Sequence, residues 1–140
     1  MKATELMIGD WVCLKDDTKC EFPLKVDGVL TDDISLEGEG FLGGVDGLIR
    51  PIPLTAEILE KDGWERDIDK EWEYNNSHIL PHYCYQWEKQ NVRIKMYAGL
   101  EGFTISLIIG RRFYAVHELQ HVLRLYGLDE LADNFKIYEN

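Results

Sequence analysis

Cysteine is scarce in this 140-residue chain: three residues, an odd number, with no pair in the close spacing of zinc ribbons or redox motifs. Cys13, Cys20 and Cys84 are therefore expected to be free thiols, Cys13 and Cys84 filling strand-like runs as small buried hydrophobes. Long apolar runs are missing too. The longest uncharged one, Phe103 to Gly110, falls far short of the roughly 20 residues that cross a bilayer. The chain also has no basic-then-apolar start of the signal-peptide kind, so the expectation is a cytoplasmic protein without a membrane partner. Basic residues are the third shortage, with 15 Lys and Arg against 26 Asp and Glu and a net charge of −11. Such a charge opposes a duplex phosphate backbone, and no duplex nucleic acid is expected as a partner.

The charge that is present is unevenly placed. Residues 1–75 hold 19 acids against 8 Lys and Arg, whereas 76–140 hold 7 of each. Residues 88–112 reverse the sign locally, with Lys89, Arg93, Lys95, Arg111 and Arg112 against Glu88 and Glu101, which leaves room for a small anionic ligand.

The hydrophobic pattern predicts an α+β fold. Up to Ile52, short apolar runs (Trp11–Leu14, Phe22–Leu30, Ile34–Leu36, Val45–Ile52) alternate with turn-formers such as Asp16-Asp17, Asp27-Gly28, Asp32-Asp33 and Gly43-Gly44. Residues 1–53 are therefore expected to form a small all-β lobe, and the Ile8-Gly9-Asp10-Trp11-Val12 opening is similar to that of Src-homology-3-like barrels. Residues 54–140 are expected to form an α+β lobe packed with the first as one unit. Within it Thr55 can cap a helix from about Ala56 to Asp62 that Gly63 ends, with Trp64 packing back. Residues 65–77 read as a short strand and an Asn75-Asn76 turn. Three strands follow by alternation, carrying Tyr83, Tyr85 and Trp87, then Val92, Ile94 and Met96, then Phe103, Ile105, Leu107 and Ile109. Helices from about Phe113 to Tyr126 and from about Asp129 to Phe135 close the chain.

Three stretches taken together, 6–12, Pro51-Ile52-Pro53-Leu54-Thr55 through to Gly63-Trp64, and Val116-His117-Glu118-Leu119-Gln120, resemble a group of uncharacterised small proteins of phages, prophages and conjugative elements of gut bacteria. The resemblance spans most of the chain. It implies a mobile-element origin and carries no activity with it.

His117-Glu118-Leu119-Gln120-His121 matches the five-residue zinc-protease pattern, two histidines one helical turn apart with a glutamate as general base. At about 100° per residue, however, Val116, Leu119, Val122, Leu123 and Tyr126 share the apolar arc, and His117 and His121 point away from it beside Arg124. The expectation is an exposed histidine face with neither cofactor nor catalytic residue; the alternative is zinc on His117 and His121 with Glu118 as base. His78, His82 and Cys84 could supply a second ligand fragment, since alternation puts His82 and Cys84 on one strand face. A further candidate is a nucleotide pocket in which Tyr83, Tyr85 and Trp87 stack a base and Arg93, Lys95, Thr104 and Ser106 hold phosphate oxygens. The leading expectation is a non-enzymatic accessory protein that binds a host or phage macromolecule, a basic protein among the candidates. The alternatives are a nucleotide-binding sponge, as an anti-defence protein would be, and a zinc-dependent hydrolase.

Overall fold

Val12, Leu24, Val26, Leu36 and Ile49 are the residues around which the first sheet is organised. In a computed structural model, which describes residues 5–31, 33–38, 40–43, 47–77, 82–87, 92–97, 102–106 and 108–137, they lie on strands β1 (Trp11–Leu14), β2 (Leu24–Val29), β3 (Asp33–Leu36) and β5 (Ile49–Pro51). With β4 (Gly40–Gly43) these strands make a five-stranded antiparallel sheet of order β4-β3-β2-β1-β5. Registers Val12↔Leu24, Val26↔Leu36 and Leu14↔Ile49 put the apolar residues on one face, where they close a core with Leu6 and Ile34. Burying each such side chain contributes about 2 kcal/mol. The other face of β1 and β2 carries Trp11 and Lys25, paired in register, and there the indole N–H donates to the Phe135 carbonyl at 2.7 Å. Among the described residues β4 and β5 are the two edges and are not paired to each other, so no closed barrel forms there.

The turn after β1 corrects one expectation. Asp17 accepts the amides of Glu21 and Phe22 through its two carboxylate oxygens (3.0 and 2.9 Å), which folds the chain back and brings Cys20 beside Cys13. Their Cα atoms are 5.8 Å apart, inside the range of a disulfide, and the two residues are joined as one rather than free. Cys84 is the free thiol, fully buried, and burial pushes its pKa up.

Two compact units divide the chain, Met1–Pro53 with Ala115–Ile137, and Leu54–Tyr114 with Tyr138–Asn140. The C-terminal helices α3 (Val116–Leu125) and α4 (Asp129–Asp133) thus belong with the first sheet, not with residues 54–114. Long-range bonds account for the placement: Val116 N–H donates to the Ile52 carbonyl at 2.9 Å, and Gln120 on α3 reaches the backbone of Gly9 and Trp11.

The second unit starts with α1 (Ala56–Asp62). Thr55 Oγ1 accepts the Ile58 amide at 3.2 Å, and Gly63 ends the helix at φ 108°, its N–H donating to Glu60. Only glycine takes that backbone turn without strain, and a Cβ there would also press on the Trp87 ring at 3.2 Å. Buried Trp64 packs edge-on against Trp87, ring centroids 5.5 Å apart. The second sheet has order β10-β9-β8-β7-β6, all antiparallel, from β6 (Glu65–Arg66), β7 (His82–Gln86), β8 (Arg93–Tyr97), β9 (Phe103–Ile105) and β10 (Ile108–Phe113). Two expectations fail here. The run after Phe103 is two strands rather than one, β9 pairing antiparallel with β10, and β10 takes Phe113 from the start of the helix expected to reach Tyr126.

The segment expected as a strand and a turn is helix α2 (Ile68–Ser77) after β6. Asp67 starts it, Oδ1 accepting the Lys70 amide at 3.1 Å and the carbonyl accepting that of Glu71 at 3.0 Å. The buried side chain described on α2 is an acid, Glu71. Glu71 takes both Nε and Nη2 of Arg66 at 2.9 Å, and its Oε1 also accepts the buried Cys84 amide at 3.1 Å. Replacing Glu71 by Ala strands the amide and breaks the fork, so urea unfolding of the second unit should show a loss of about 3 kcal/mol. Trp72→Ala on the exposed side of the same helix should cost less than about 0.5 kcal/mol.

Candidate functional site

Helix α3 carries the zinc-protease-like pattern, and of its expected apolar arc Val116, Leu119 and Leu123 are fully buried, Val122 is half-buried and Tyr126 is exposed. The polar side departs from expectation. His117 and Gln120 are buried as well, and the turn leading into β1 lies against Gln120.

That turn is built around Gly9 and Asp10. Gly9 has φ +95°, a backbone conformation that favours glycine, and a Cβ there would stand 2.7 Å from Arg124 Nη2. Its N–H donates to the Val26 carbonyl at 2.7 Å, and Val26 N–H returns a bond to the Asp10 carbonyl at 2.8 Å, fixing both residues to β2. Asp10 is then completely buried. Its Oδ1 accepts Arg124 Nη1 at 2.6 Å; its Oδ2 accepts the Met7 amide at 2.8 Å and His121 Nε2 at 2.5 Å. Arg124 also reaches Asp133 Oδ1 with Nε at 3.2 Å, tying α4 to the same centre. One turn back along α3, Gln120 Oε1 accepts the Trp11 amide at 3.0 Å while its Nε2 donates to the Gly9 and Ala132 carbonyls at 2.8 and 3.0 Å.

Each member of the motif thus has a folding task or a defined surrounding. Glu118, the would-be general base, accepts the Ala115 amide at 3.1 Å and caps the helix it stands on. His121 gives Nε2 to Asp10. His117 lies edge-on to His121, centroids 5.4 Å apart, with a buried Nδ1 that has no hydrogen-bond partner. Among the described residues the one group of three ligand-type side chains is Cys13, Asp17 and Cys20, and its two sulfurs are bonded to each other. No third ligand joins His117 and His121 there. Of the other fragment, His78 lies outside the described residues, while Cys84 is buried under Glu71.

The nucleotide-pocket residues are divided by the second sheet. Registers Tyr83↔Met96, Tyr85↔Ile94 and Met96↔Phe103 place the two tyrosines on the apolar face, where Tyr85 is buried, Tyr83 is partly exposed and Trp87 follows against Trp64. Arg93, Lys95 and Thr104 lie on the opposite face with Cys84. Arg93 faces Asp67 at 3.5 Å, and Ser106 Oγ accepts its backbone amide at 3.0 Å. The stacking set and the cationic set are therefore not brought into one pocket. Sequence reasoning missed Asp10, Gln120 and Arg124 as a set; buried charge was foreshadowed only by the Gly9-Asp10 turn, whose partners lie more than 100 residues away.

Burial lowers the His117 pKa from its ordinary value, outweighing Asp10, which raises it; His121 lowers it further, and Glu118 and Glu5 act weakly the other way. The unfolded chain therefore binds a proton near pH 6.5 that the folded chain resists, so this residue's contribution favours folding above that pH and is lost as pH falls toward the folded value. The melting temperature should drop between about pH 7.5 and about pH 5.5, and the drop should be smaller in His117→Leu. At the higher pH that variant should melt no lower than the wild type, since it removes an unpaired buried nitrogen.

Compared with protein-family models, curated proteins and solved structures, the chain matches none.

Proposed function

We propose that this chain is a non-enzymatic binding protein, encoded by a phage or another mobile element, that engages a basic macromolecular partner through its acidic surface. The observation that carries the reading is where the acids are. Asp16, Glu21, Asp27 and Glu37 in the first unit, and Glu57, Glu60, Glu65, Asp69 and Glu73 in the second, are all exposed. An unbalanced surface of one sign raises the encounter rate with an oppositely charged partner and selects against others. The contrast with the polar interior adds support: Asp10, Gln120, Glu118 and His121 are held in bonds that secure α3, so the groups best suited to chemistry serve the fold.

The order of the first sheet, with β5 returning beside β1, also suits the small barrel-like lobe expected for residues 1–53. Beside it an open cavity of about 420 Å³ is lined by Leu14, Lys15, Asp16, Gly47 and Leu48. It mixes charges and carries no argument for a particular ligand.

The test is capture by the tagged full chain from its native host at two ionic strengths. A partner retained at about 50 mM salt and released at about 0.5 M is expected, because exposed charge pairs are screened over a few ångströms at the higher value. Failure to capture any reproducible partner under either condition would sink the reading.

A further inference from the structure

Among its described side chains, helix α2 turns an acid inward and two apolar residues outward. Its acid Glu71 is 5% exposed, locked to Arg66 and to the Cys84 amide, while Ile68 and Trp72 are 60% and 67% exposed. Four residues apart, those two side chains are neighbours on one strip of a ten-residue helix about 15 Å long. The helix cannot rotate to bury them without leaving Glu71's partners unpaired. The exposure is therefore imposed by the Glu71 bonds and is not a matter of the helix failing to find its seat.

An aromatic of this size can bury about 150–250 Å² when covered, and tryptophan is the residue type most often found to dominate binding at interfaces. A parallel row of acids flanks the strip: Asp69 and Glu73, also four apart and one position on, are both exposed, and Glu73 pairs with Lys70 at 3.1 Å. Glu65 precedes the helix and is exposed too.

We propose that the outer face of α2 is a docking strip for a short cationic segment with apolar residues interspersed, Trp72 and Ile68 taking its apolar side chains and Asp69 and Glu73 its lysines or arginines. Charge complementarity decides the occupant. A second copy of this chain brings the same net charge of −11, and two exposed apolar residues fall well short of the roughly 800 Å² per partner of a stable protein–protein interface. A peptide-length segment laid along a helix face fits that size. The inference deepens the reading of the chain as a binding protein with a basic partner and rests on it.

The probe is a labelled 12-residue peptide of alternating lysine and leucine, with its glutamate–leucine counterpart as control, titrated against the full chain by fluorescence anisotropy. Saturable binding of the cationic peptide is expected, weakened at least tenfold in the Ile68→Ser/Trp72→Ser double variant and in Asp69→Lys/Glu73→Lys. The urea midpoint of the apolar double variant should match the wild type, since both side chains are exposed. Equal affinity in wild type and the apolar double variant would overturn the proposal, as would equal binding of the two peptides. Sedimentation showing a dimer of the wild type that Trp72→Ser dissolves would overturn it in favour of a second copy. Host capture separates this from the broader reading: a partner held equally by wild type and double variant overturns the strip and leaves the binding function standing. Peptide binding lost in both variants, with no host partner captured by the wild type, supports the strip and removes the broader reading.

Discussion

A carboxylate with no solvent exposure, that of Asp10, is the constraint on which the first unit turns. Removing it from water is expensive, and the cost is offset only where its oxygens meet donors in good geometry. The chain supplies three: the Met7 amide, His121 Nε2 and Arg124 Nη1. Two of these come from one face of α3, so satisfying Asp10 fixes both the rotation and the height of that helix against β1. Gln120 adds three bonds of its own on the same face, and Arg124 extends the network to α4 through Asp133. Once the helix is held this way its apolar arc has one place to go. The charged knot specifies the arrangement, while the aliphatic residues provide the bulk of the stabilisation.

The second unit uses the same device in smaller form. Glu71 is a buried acid whose bidentate arginine and single backbone amide decide which side of α2 faces the sheet. In both units a buried carboxylate overrides the simple partition of apolar inside and polar outside. The consequence differs. In the first it hides a pattern that resembles a metal site, and in the second it leaves a tryptophan in solvent.

These two carboxylates also mark where the sequence stops being legible. Elements governed by near neighbours could be read: α1 from Thr55 and Gly63, the β7 and β8 faces from alternation, and most of the last two helices. An α+β class with a β-rich start followed from the same local signals. Helix α2 was missed because its apolar residues are few and Ile68 and Trp72 face outward, so periodicity had little to detect; the Asp67 cap was the available sign. The pairing of Cys13 with Cys20 depended on an Asp17 turn whose tightness spacing alone does not express. The histidines were expected in solvent because Asp10, the partner of His121, lies 111 residues away from it. The pattern His117 to His121 was visible at once, yet its meaning was set by long-range bonds that no local window contains.

The central claim, that the polar side of α3 exists to meet Asp10, is open to a double-mutant cycle between Asp10→Asn and Arg124→Met measured by urea unfolding. The account predicts a coupling free energy of about 2 kcal/mol, as expected for a buried, hydrogen-bonded charge pair. Effects that add to within about 0.3 kcal/mol would mean the two residues stabilise the fold independently, and would contradict it.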